Sequence, residues 1–372
     1  MAKVLGIIDL HYKVDLGVLT EKRSIASAGV FGRYCFIDFP LSNFANSGIN
    51  RIGILIKDKP RSLFRHLGLT NNWALNTKIG GISLLYNENY ANDPYYNTDV
   101  NNILENYWFI RDNKDYEYIV IAPAHFMMTI NYTNFVKSHM ESGAEITVLS
   151  KTINNAKEDF LSCQSLHIKD GNKVSKITTN IGDKDERVIS LQTYIMHRDV
   201  FISLLKKSKK TSSGFELNDI ICREIKNLDV RAYEFDGYVK CFNSFKSYFK
   251  NSLEILDINN YKSLFNDDDH PIFTRTYDTP PAKYGRNADI KNSFIANGSV
   301  INGTCINSLL GREVVIEEGA VVKDSILLSK VHIAKRCHIE NAVIDKETTV
   351  MYTKEVIGTK DNPIGIKQED TI

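Results

Sequence analysis

The first stretch with residue types suited to chemistry is a turn near the N-terminus. Residues 7–20 read IIDLHYKVDLGVLT, an apolar strand that runs directly into a turn. Many nucleotide-binding folds place a glycine-rich loop here, because backbone N–H groups without side chains can approach a phosphate closely. Between Ile8 and Leu16, however, the sequence contains no glycine. The position favours phosphate binding, whereas the residue types argue against it.

A second candidate is the acidic run Asp267-Asp268-Asp269 followed by His270. Carboxylates and imidazoles are metal ligands, but consecutive residues rarely point at one centre. The surrounding segment, 266–288, is rich in Pro and Asp, which is typical of an ordered linker. We expect a solvated loop here rather than a metal site.

Composition and charge exclude several classes of function. The chain has 372 residues, of which 43% are hydrophobic and 24% charged, and its 46 basic and 45 acidic residues leave a formal charge of only +1. This balance gives no sign of a nucleic-acid or membrane partner. No apolar run approaches the roughly 20 residues of a membrane span, and the N-terminus does not resemble a leader, so we expect a cytoplasmic protein.

The cysteines are also consistent with the cytoplasm, where thiols stay reduced. None forms a CxxC pair or a Cys/His group with zinc-ligand spacing, so neither a disulfide framework nor a zinc site is predicted. The six are Cys35, Cys163, Cys222, Cys241, Cys305 and Cys337.

The elements that must position these residues fall into two parts. Up to about residue 255, short β-rich runs alternate with helical patterns, which predicts a mainly parallel sheet covered on both faces. Such sheets bind ligands beyond the carboxyl ends of their strands, here after Ile8 and Ala122. The predicted strands lie at 3–8, 51–56, 116–122, 145–151 and 189–197, and the predicted helices at 131–143, 199–207 and 215–225.

After residue 285 the helical patterns vanish and branched apolar residues recur every five or six positions. This hexad is typical of a parallel β-helix, whose coils stack their apolar residues. Ordinary antiparallel strands are the alternative, but they would show a period of two. The recurring residues are Ile295, Ile301, Ile306, Ile316, Val322, Leu327, Ile333, Ile339, Ile344 and Val350.

One long stretch resembles a known family. Residues 33–55, RYCFIDFPLSNFANSGINRIGIL, and residues 60–67, PRSLFRHL, are similar to ADP-glucose pyrophosphorylase, the glucose-1-phosphate adenylyltransferase of glycogen and starch synthesis. LGVLT at 16–20 and EEGAVVKDSIL at 317–327 match as well, so the resemblance covers nearly the whole chain. It implies a Rossmann-like, GT-A-type nucleotidyltransferase domain at 1–257, a linker at 258–285 and a left-handed parallel β-helix at 286–372, assembled as a tetramer.

In active relatives glucose 1-phosphate attacks the α-phosphorus of ATP, which requires a phosphate cradle and a cation with acidic ligands. The family's cradle is a Gly-Gly-x-Gly-x-Arg loop. Matching on LGVLT equates its glycines with Leu10, His11 and Lys13, and its arginine with Asp15. A carboxylate thus replaces a guanidinium that meets phosphate, and both charge and bulk oppose ATP.

The resemblance also implies losses at the metal and sugar-phosphate positions. Relatives hold Mg²⁺ with two aspartates, at positions occupied here by Ala124 and Cys241, and neither a methyl group nor a thiol replaces a hard oxygen ligand. A lysine of the family that contacts phosphate aligns with Ile25. The Glu-Lys-Pro motif expected after residues 174–177 is absent from KITTNIGDKD at 176–185.

These losses together resemble the GlgD-type subunit, the non-catalytic partner of the catalytic GlgC-type subunit in some bacterial glycogen pathways. The resemblance implies a regulatory chain in a heterotetramer with no cofactor of its own and Mg²⁺ only in the catalytic partner. Two alternatives stay open: an active nucleotidyltransferase with rearranged ligands, and a stand-alone sugar-phosphate sensor.

Family members bind sugar phosphates or phosphate between their two domains with basic residues. The candidates here are Arg23, Arg33, Arg65 and His66, while Cys35 replaces an arginine of many relatives. An effector site and plain surface charge or interface ion pairing are equally compatible with these positions. Ser42, Asn43 and His125 are retained, and without phosphate partners we expect them to serve packing.

Overall fold

The computed structural model describes residues 3–68, 70–212, 214–265 and 269–372. It confirms an α/β part followed by a parallel β-helix. The metal candidate Asp267–His270 falls partly outside the described residues, since Asp267 and Asp268 are among those not described. Within the described ranges, none of the helices has the length and apolar character needed to cross a membrane.

The helices are α1 Asp38–Asn46, α2 Pro60–Leu67, α3 Asp99–Glu105, α4 Trp108–Arg111, α5 Tyr132–Ser142, α6 Arg198–Thr211, α7 Leu217–Glu224, α8 Phe245–Leu253 and α9 Ile258–Phe265. The strands of the α/β part are β1 Val4–Asp9, β2 Gly29–Val30, β3 Tyr34–Cys35, β4 Arg51–Ile56, β5 Gly81–Tyr86, β6 Tyr118–Pro123, β7 Phe126–Met128, β8 Ile146–Ile153, β9 Gln164–Lys169, β10 Lys173–Thr179, β11 Arg187–His197, β12 Val230–Glu234 and β13 Val239–Cys241.

The strands of the β-helix are β14 Lys283–Tyr284, β15 Asp289–Lys291, β16 Phe294–Ile295, β17 Val300–Ile301, β18 Thr304–Ile306, β19 Leu309–Leu310, β20 Val315–Ile316, β21 Val321–Lys323, β22 Ile326–Leu327, β23 His332–Ile333, β24 His338–Glu340, β25 Ala342–Ile344, β26 Thr349–Val350, β27 Glu355–Ile357 and β28 Ile364–Ile366. The linker boundaries 258–285 stay a prediction, and within them the structure has helix α9 and strand β14.

The described part of the large sheet has nine strands in the order β5-β4-β1-β6-β11-β8-β12-β10-β9. The sheet is mixed rather than mainly parallel, because β11 runs antiparallel to both neighbours. Residues 154–186 contain the β9–β10 hairpin and no α-helix between β8 and β11. Because no helix crosses over between β8 and β11, β11 pairs with β8 in the antiparallel direction. This explains why the sheet is mixed and not mainly parallel as predicted.

Helix α5 illustrates how local sequence sets the bounds of an element. The Asn131 side chain accepts a hydrogen bond from the Thr133 backbone N–H (2.9 Å) and caps the first turn. At the other end Gly143 adopts φ +64°, a left-handed conformation that glycine takes without strain. The helix lies within the predicted range 131–143.

Three five-stranded parallel sheets form the described β-helix. In one of them Ile301, Ile316, Ile333 and Val350 stack in register, all fully buried. The prediction for Ile306 is wrong: Cys305 is fully buried in the stack and Ile306 is only half-buried. Strand β18 has three residues, so only its middle side chain points inward.

The two parts of the chain share an apolar core. Leu19 and Phe36 of the α/β part belong to one buried cluster with Leu309, Ile326 and Val343 of the β-helix. Apolar burial of this kind contributes roughly 25 cal/mol per Å². The β-helix is therefore packed on the α/β part rather than attached by a free linker.

Candidate functional site

The strand ends converge around the loop that follows β1. Asp9, the last residue of β1, is paired with Leu55 of β4 on one side and Pro123 of β6 on the other. The loop is tied to β4 by a hydrogen bond from Leu10 N–H to the Leu55 carbonyl (3.1 Å). Residues 10–15 and Ala124 therefore lie at one edge of the sheet, where ligands of α/β folds bind.

Side chains fill the space next to this loop. His11 is fully buried, and Asp9 Oδ1 lies 2.9 Å from its backbone N and 3.0 Å from its Nδ1. The half-buried Tyr12 ring lies 5.2 Å from the ring of His125. Burial lowers the pKa of His125 to about 4, so this imidazole is neutral at pH 7. Imidazole and phenol groups thus occupy the loop that would be bare backbone in a phosphate cradle.

Asp15 has a structural partner in the loop itself. Its Oδ1 accepts a hydrogen bond from Gly17 N–H (2.8 Å), at the start of the 3₁₀ helix Gly17–Thr20. The exposed Lys13 and Asp15 line a cavity of about 450 Å³ together with Lys57 and Lys59. Both of these lysines donate to backbone carbonyls, of His11 (3.0 Å) and Thr20 (2.7 Å) respectively. Glu21 and Asp58 also line the cavity, so its charge is mixed rather than uniformly cationic.

The two positions equated with metal ligands are neighbours in the fold. Cys241 of β13 pairs with Phe126 of β7, two residues beyond Ala124. Ala124 and Cys241 are both buried, and the Cys241 sulfur lies 3.3 Å from that of Cys163. Burial raises the pKa of the Cys241 thiol well above its ordinary value, which keeps it neutral. A methyl group and a neutral thiol do not fit Mg²⁺.

The other predicted degenerate position, Ile25, lines the same cavity as Lys13 and Asp15. Ile25 is buried in the short 3₁₀ helix Ile25–Ser27 and packs in the cluster shared with the β-helix. It serves packing between the two parts of the chain.

Sequence reasoning missed a buried acidic group near the loop. Asp99 accepts hydrogen bonds from Val100 N–H (2.6 Å) and Leu217 N–H (3.0 Å), and so anchors the start of α7. Burial and the nearby charges of Asp9 and Glu216 raise the pKa of Asp99 well above its ordinary value. No local pattern in the sequence distinguishes the buried Asp99 from the Asp and Asn residues that lie at the surface.

The four effector candidates all line one cavity of about 220 Å³ between the two parts of the chain. Arg33 and Arg65 are exposed on its wall, and His66 is buried. Arg23 is only 2% exposed and donates to both carboxylate oxygens of Asp345 (2.9 and 2.7 Å). Its guanidinium is therefore already neutralised by a β-helix residue.

The β-helix adds three further cations that sequence reasoning missed. Arg312, Lys330 and Lys346 line the same cavity, opposed by the acidic side chains of Glu313 and Glu347. Burial lowers the pKa of Arg312 and of Lys346, because it removes water from around the charged form. The wall is therefore predominantly cationic and suits an anionic ligand.

A trio of reactive groups stands on this wall. The His66 ring lies between Cys35 and Asp38, with Nδ1 3.5 Å from the Cys35 sulfur and Nε2 2.6 Å from Asp38 Oδ1. Asp38 Oδ2 accepts from Cys35 N–H (2.8 Å) and from the Thr274 hydroxyl (2.6 Å). Sequence spacing gives no signal for it, since Cys35 and His66 are 31 residues apart.

The trio is the one group of this kind found among the described residues, and its geometry does not suit a metal. A metal ion bound to one ring nitrogen of His66 would need Cys35 and Asp38 on that same side of the ring. Instead the two residues contact opposite nitrogens. Burial lowers the pKa of His66, but the charges of Cys35 and Asp38 outweigh burial and raise it from 6.5 to about 11. The imidazolium therefore donates one N–H to each neighbour.

Comparisons with known proteins agree with this fold. Residues 18–257 match the nucleotidyl transferase family, and residues 280–363 match the GlmU-like C-terminal hexapeptide family. The class is therefore a nucleotidyltransferase fold joined to a left-handed hexapeptide β-helix.

Individual relatives narrow the class. The chain is 31% identical to a glucose-1-phosphate adenylyltransferase of Fervidobacterium nodosum, over 94% of this chain and 84% of the relative. It is 28% identical to the glycogen biosynthesis protein GlgD of Bacillus subtilis, over 98% and 96%. A glucose-1-phosphate adenylyltransferase of Clostridium botulinum is 32% identical over 84% and 81%. The chain belongs to the glucose-1-phosphate adenylyltransferase family of glycogen biosynthesis, which includes GlgD.

Proposed function

We propose that this chain is a catalytically deficient, regulatory subunit that associates with a catalytic glucose-1-phosphate adenylyltransferase chain and activates it. The observation that carries the proposal is the pair Ala124 and Cys241, which lie in one buried cluster and offer a methyl group and a buried, neutral thiol. Both are the positions that the resemblance equates with metal-binding aspartates.

The loop after β1 supports the same proposal. Nucleotidyl transfer depends on positioning and on neutralising the charge of the phosphates, so it needs a cradle and a cation. Here Leu10 and His11 are buried and Tyr12 packs against His125. We therefore assign Mg²⁺ and catalysis to the partner chain and no cofactor to this one.

Activation of a partner requires that this subunit contact two states of the partner with different free energy. We place the effector site in the cavity between the α/β part and the β-helix, where a bound ligand would change this free-energy difference. An anionic effector, such as phosphate or a sugar phosphate, would meet Arg33 and Arg65 from one side and Arg312, Lys330 and Lys346 from the other. Such a ligand would couple the two parts of the chain.

The test is reconstitution with a purified catalytic chain from the same organism. We expect no pyrophosphate release from this protein alone with ATP, glucose 1-phosphate and Mg²⁺. Mixing or co-expression is expected to yield a heterotetramer by light scattering and a turnover per catalytic chain several-fold above that of the catalytic chain alone.

An effector arm uses charge variants in the same assay. Arg33→Gln with Lys330→Gln is expected to raise the phosphate or sugar-phosphate concentration needed for half-maximal response. Lys209→Gln, an exposed residue of α6, is the matched control. The proposal fails if no complex forms and mixing leaves turnover unchanged, or if this chain alone releases pyrophosphate that EDTA abolishes.

A further inference from the structure

The Cys35–His66–Asp38 trio has the arrangement of a nucleophile, a base and an orienting carboxylate. The His66 ring is fixed from one side by Asp38, which is itself held by Thr274 and by the Cys35 backbone. From the other side its Nδ1 faces the Cys35 sulfur at 3.5 Å. A protonated imidazole beside a cysteine sulfur stabilises the thiolate, which is the reactive form of cysteine.

The positions of these residues on their helices favour the charged pair. His66 lies in the last turn of α2, where the helix dipole stabilises a cation, and Asp38 is the first residue of α1, where it stabilises an anion. The sulfur also lies 3.7 Å from the Ser27 carbonyl oxygen, a weak acceptor for the neutral thiol. The imidazolium is the stronger partner because it carries a full charge.

Cys35 is accessible from the cationic cavity. It is half-buried and lines the cavity of about 220 Å³ together with Arg65, Arg312 and Lys330. Cys163, Cys241, Cys305 and Cys337 are buried, and Cys222 is the other half-buried cysteine. Cations around a thiolate lower the cost of its charge and concentrate anions beside it.

We propose that Cys35 is a site of reversible S-thiolation by small anionic disulfides, with His66 and Asp38 as positioning residues and the surrounding cations as the subsite for the carboxylates. The modification concerns this chain alone. Its consequence for a catalytic partner rests on the function proposed above, because the adduct would place an anion in the effector cavity.

The chemistry is thiol–disulfide exchange and balances without an external oxidant. The Cys35 thiolate attacks one sulfur of the disulfide, a new S–S bond forms to Cys35, and the S–S bond of the reagent breaks. The departing thiolate takes up a proton from the His66 imidazolium. The Cys35 sulfur is oxidised and the leaving sulfur is reduced, and a free thiol reverses the reaction.

The experiment uses the reduced full-length protein and three disulfides of similar size: the dianion dithiodipropionate, the dication cystamine and neutral hydroxyethyl disulfide. Peptide mapping by mass spectrometry follows modification of each cysteine, and each rate is divided by the rate with a free model thiol. We expect Cys35 to react with the dianion roughly tenfold or more faster than with the dication, the size of electrostatic steering in charged clefts.

Variants separate the charge of the cavity from the activation of the thiol. Arg65→Gln with Lys330→Gln, both exposed, is expected to lower the rate with the dianion several-fold more than the rate with the neutral disulfide. Lys209→Gln with Lys210→Gln applies the same charge change on α6 as a control. His66→Gln is expected to slow all three reagents, and Cys35→Ser to remove the adduct.

Two results would overturn the proposal. One is that Cys35 reacts with the neutral disulfide no faster than Cys222, which would mean that the thiol is not activated. The other is that dianion and dication react alike and Arg65→Gln with Lys330→Gln changes neither. Since the adduct is read on this chain alone, failure of the proposed regulatory function leaves this test intact.

Discussion

Arg23 of the α/β part and Asp345 of the β-helix, 322 residues apart, form a buried two-point ion pair with N–O distances of 2.9 and 2.7 Å. The side chains are only 2% and 1% exposed, and Gln368 accepts a further bond from the same guanidinium (2.5 Å). A planar guanidinium matches a carboxylate in this geometry, which a lysine could not do. The pair fixes how the two parts of the chain meet.

We expect Arg23→Gln to lower the free energy of unfolding by about 3–5 kcal/mol, because it leaves the Asp345 carboxylate buried and unpaired. Urea unfolding measures this cost. Adding Asp345→Asn should recover part of it, since the double variant buries no unpaired charge. If the double variant were as unstable as the sum of both single variants, the two residues would not be coupled.

MgATP is expected to leave the thermal stability of the isolated chain unchanged. A ligand at 100 times its Kd adds about 2.7 kcal/mol of stability, which a thermal unfolding scan detects easily. We expect no such gain, because the loop carries the buried His11 and the metal positions carry Ala124 and Cys241. The catalytic relative, scanned under the same conditions, provides the positive control. An increase of several degrees with MgATP would contradict the prediction.

His66 is expected to make the stability fall as the pH rises. Despite its burial, the charges of Cys35 and Asp38 hold the pKa of His66 at about 11, against 6.5 for an ordinary histidine. The folded state therefore binds a proton that the unfolded state has released, so the stabilisation is complete below pH 6.5 and is lost as the pH rises towards 11.

Urea unfolding over this pH range measures the effect, and His66→Gln is the reference. Because the variant lacks the titrating group, we expect its free energy of unfolding to depend less steeply on pH. Parallel curves for the two proteins would show that His66 is not charged in the fold.

Truncation of a residue in the branched apolar stack of the β-helix is expected to destabilise the fold. Ile333 is fully buried between Ile316 and Val350. Ile333→Ala should cost about 2–5 kcal/mol, the lost transfer energy plus a cavity. Glu355→Ala, at an exposed position of β27, should stay within about 0.5 kcal/mol. Equal urea midpoints for both variants would refute a tightly packed stack.

Much of the α/β part could be predicted from local pattern. The strands β1, β4 and β8 and the helix α5 lie within two residues of their predicted bounds, and α6 continues four residues past its predicted end at 207, because apolar periodicity acts within a few residues. The mixed direction of the sheet could not be predicted, since it depends on what connects β8 to β11 across 33 residues, 154–186, and on how that hairpin packs.

The sequence by itself determined the chemical content of the loop after β1 and of positions 124 and 241, because a side chain's donors and charge belong to the residue type. It also determined the family, through motifs that are continuous in the chain. Only the tertiary structure decided which charges meet. It pairs Arg23 with Asp345 and places Arg312 and Arg33 in the lining of one cavity. It also places His66 between Cys35 and Asp38. These contacts join distant segments, and no periodicity records them.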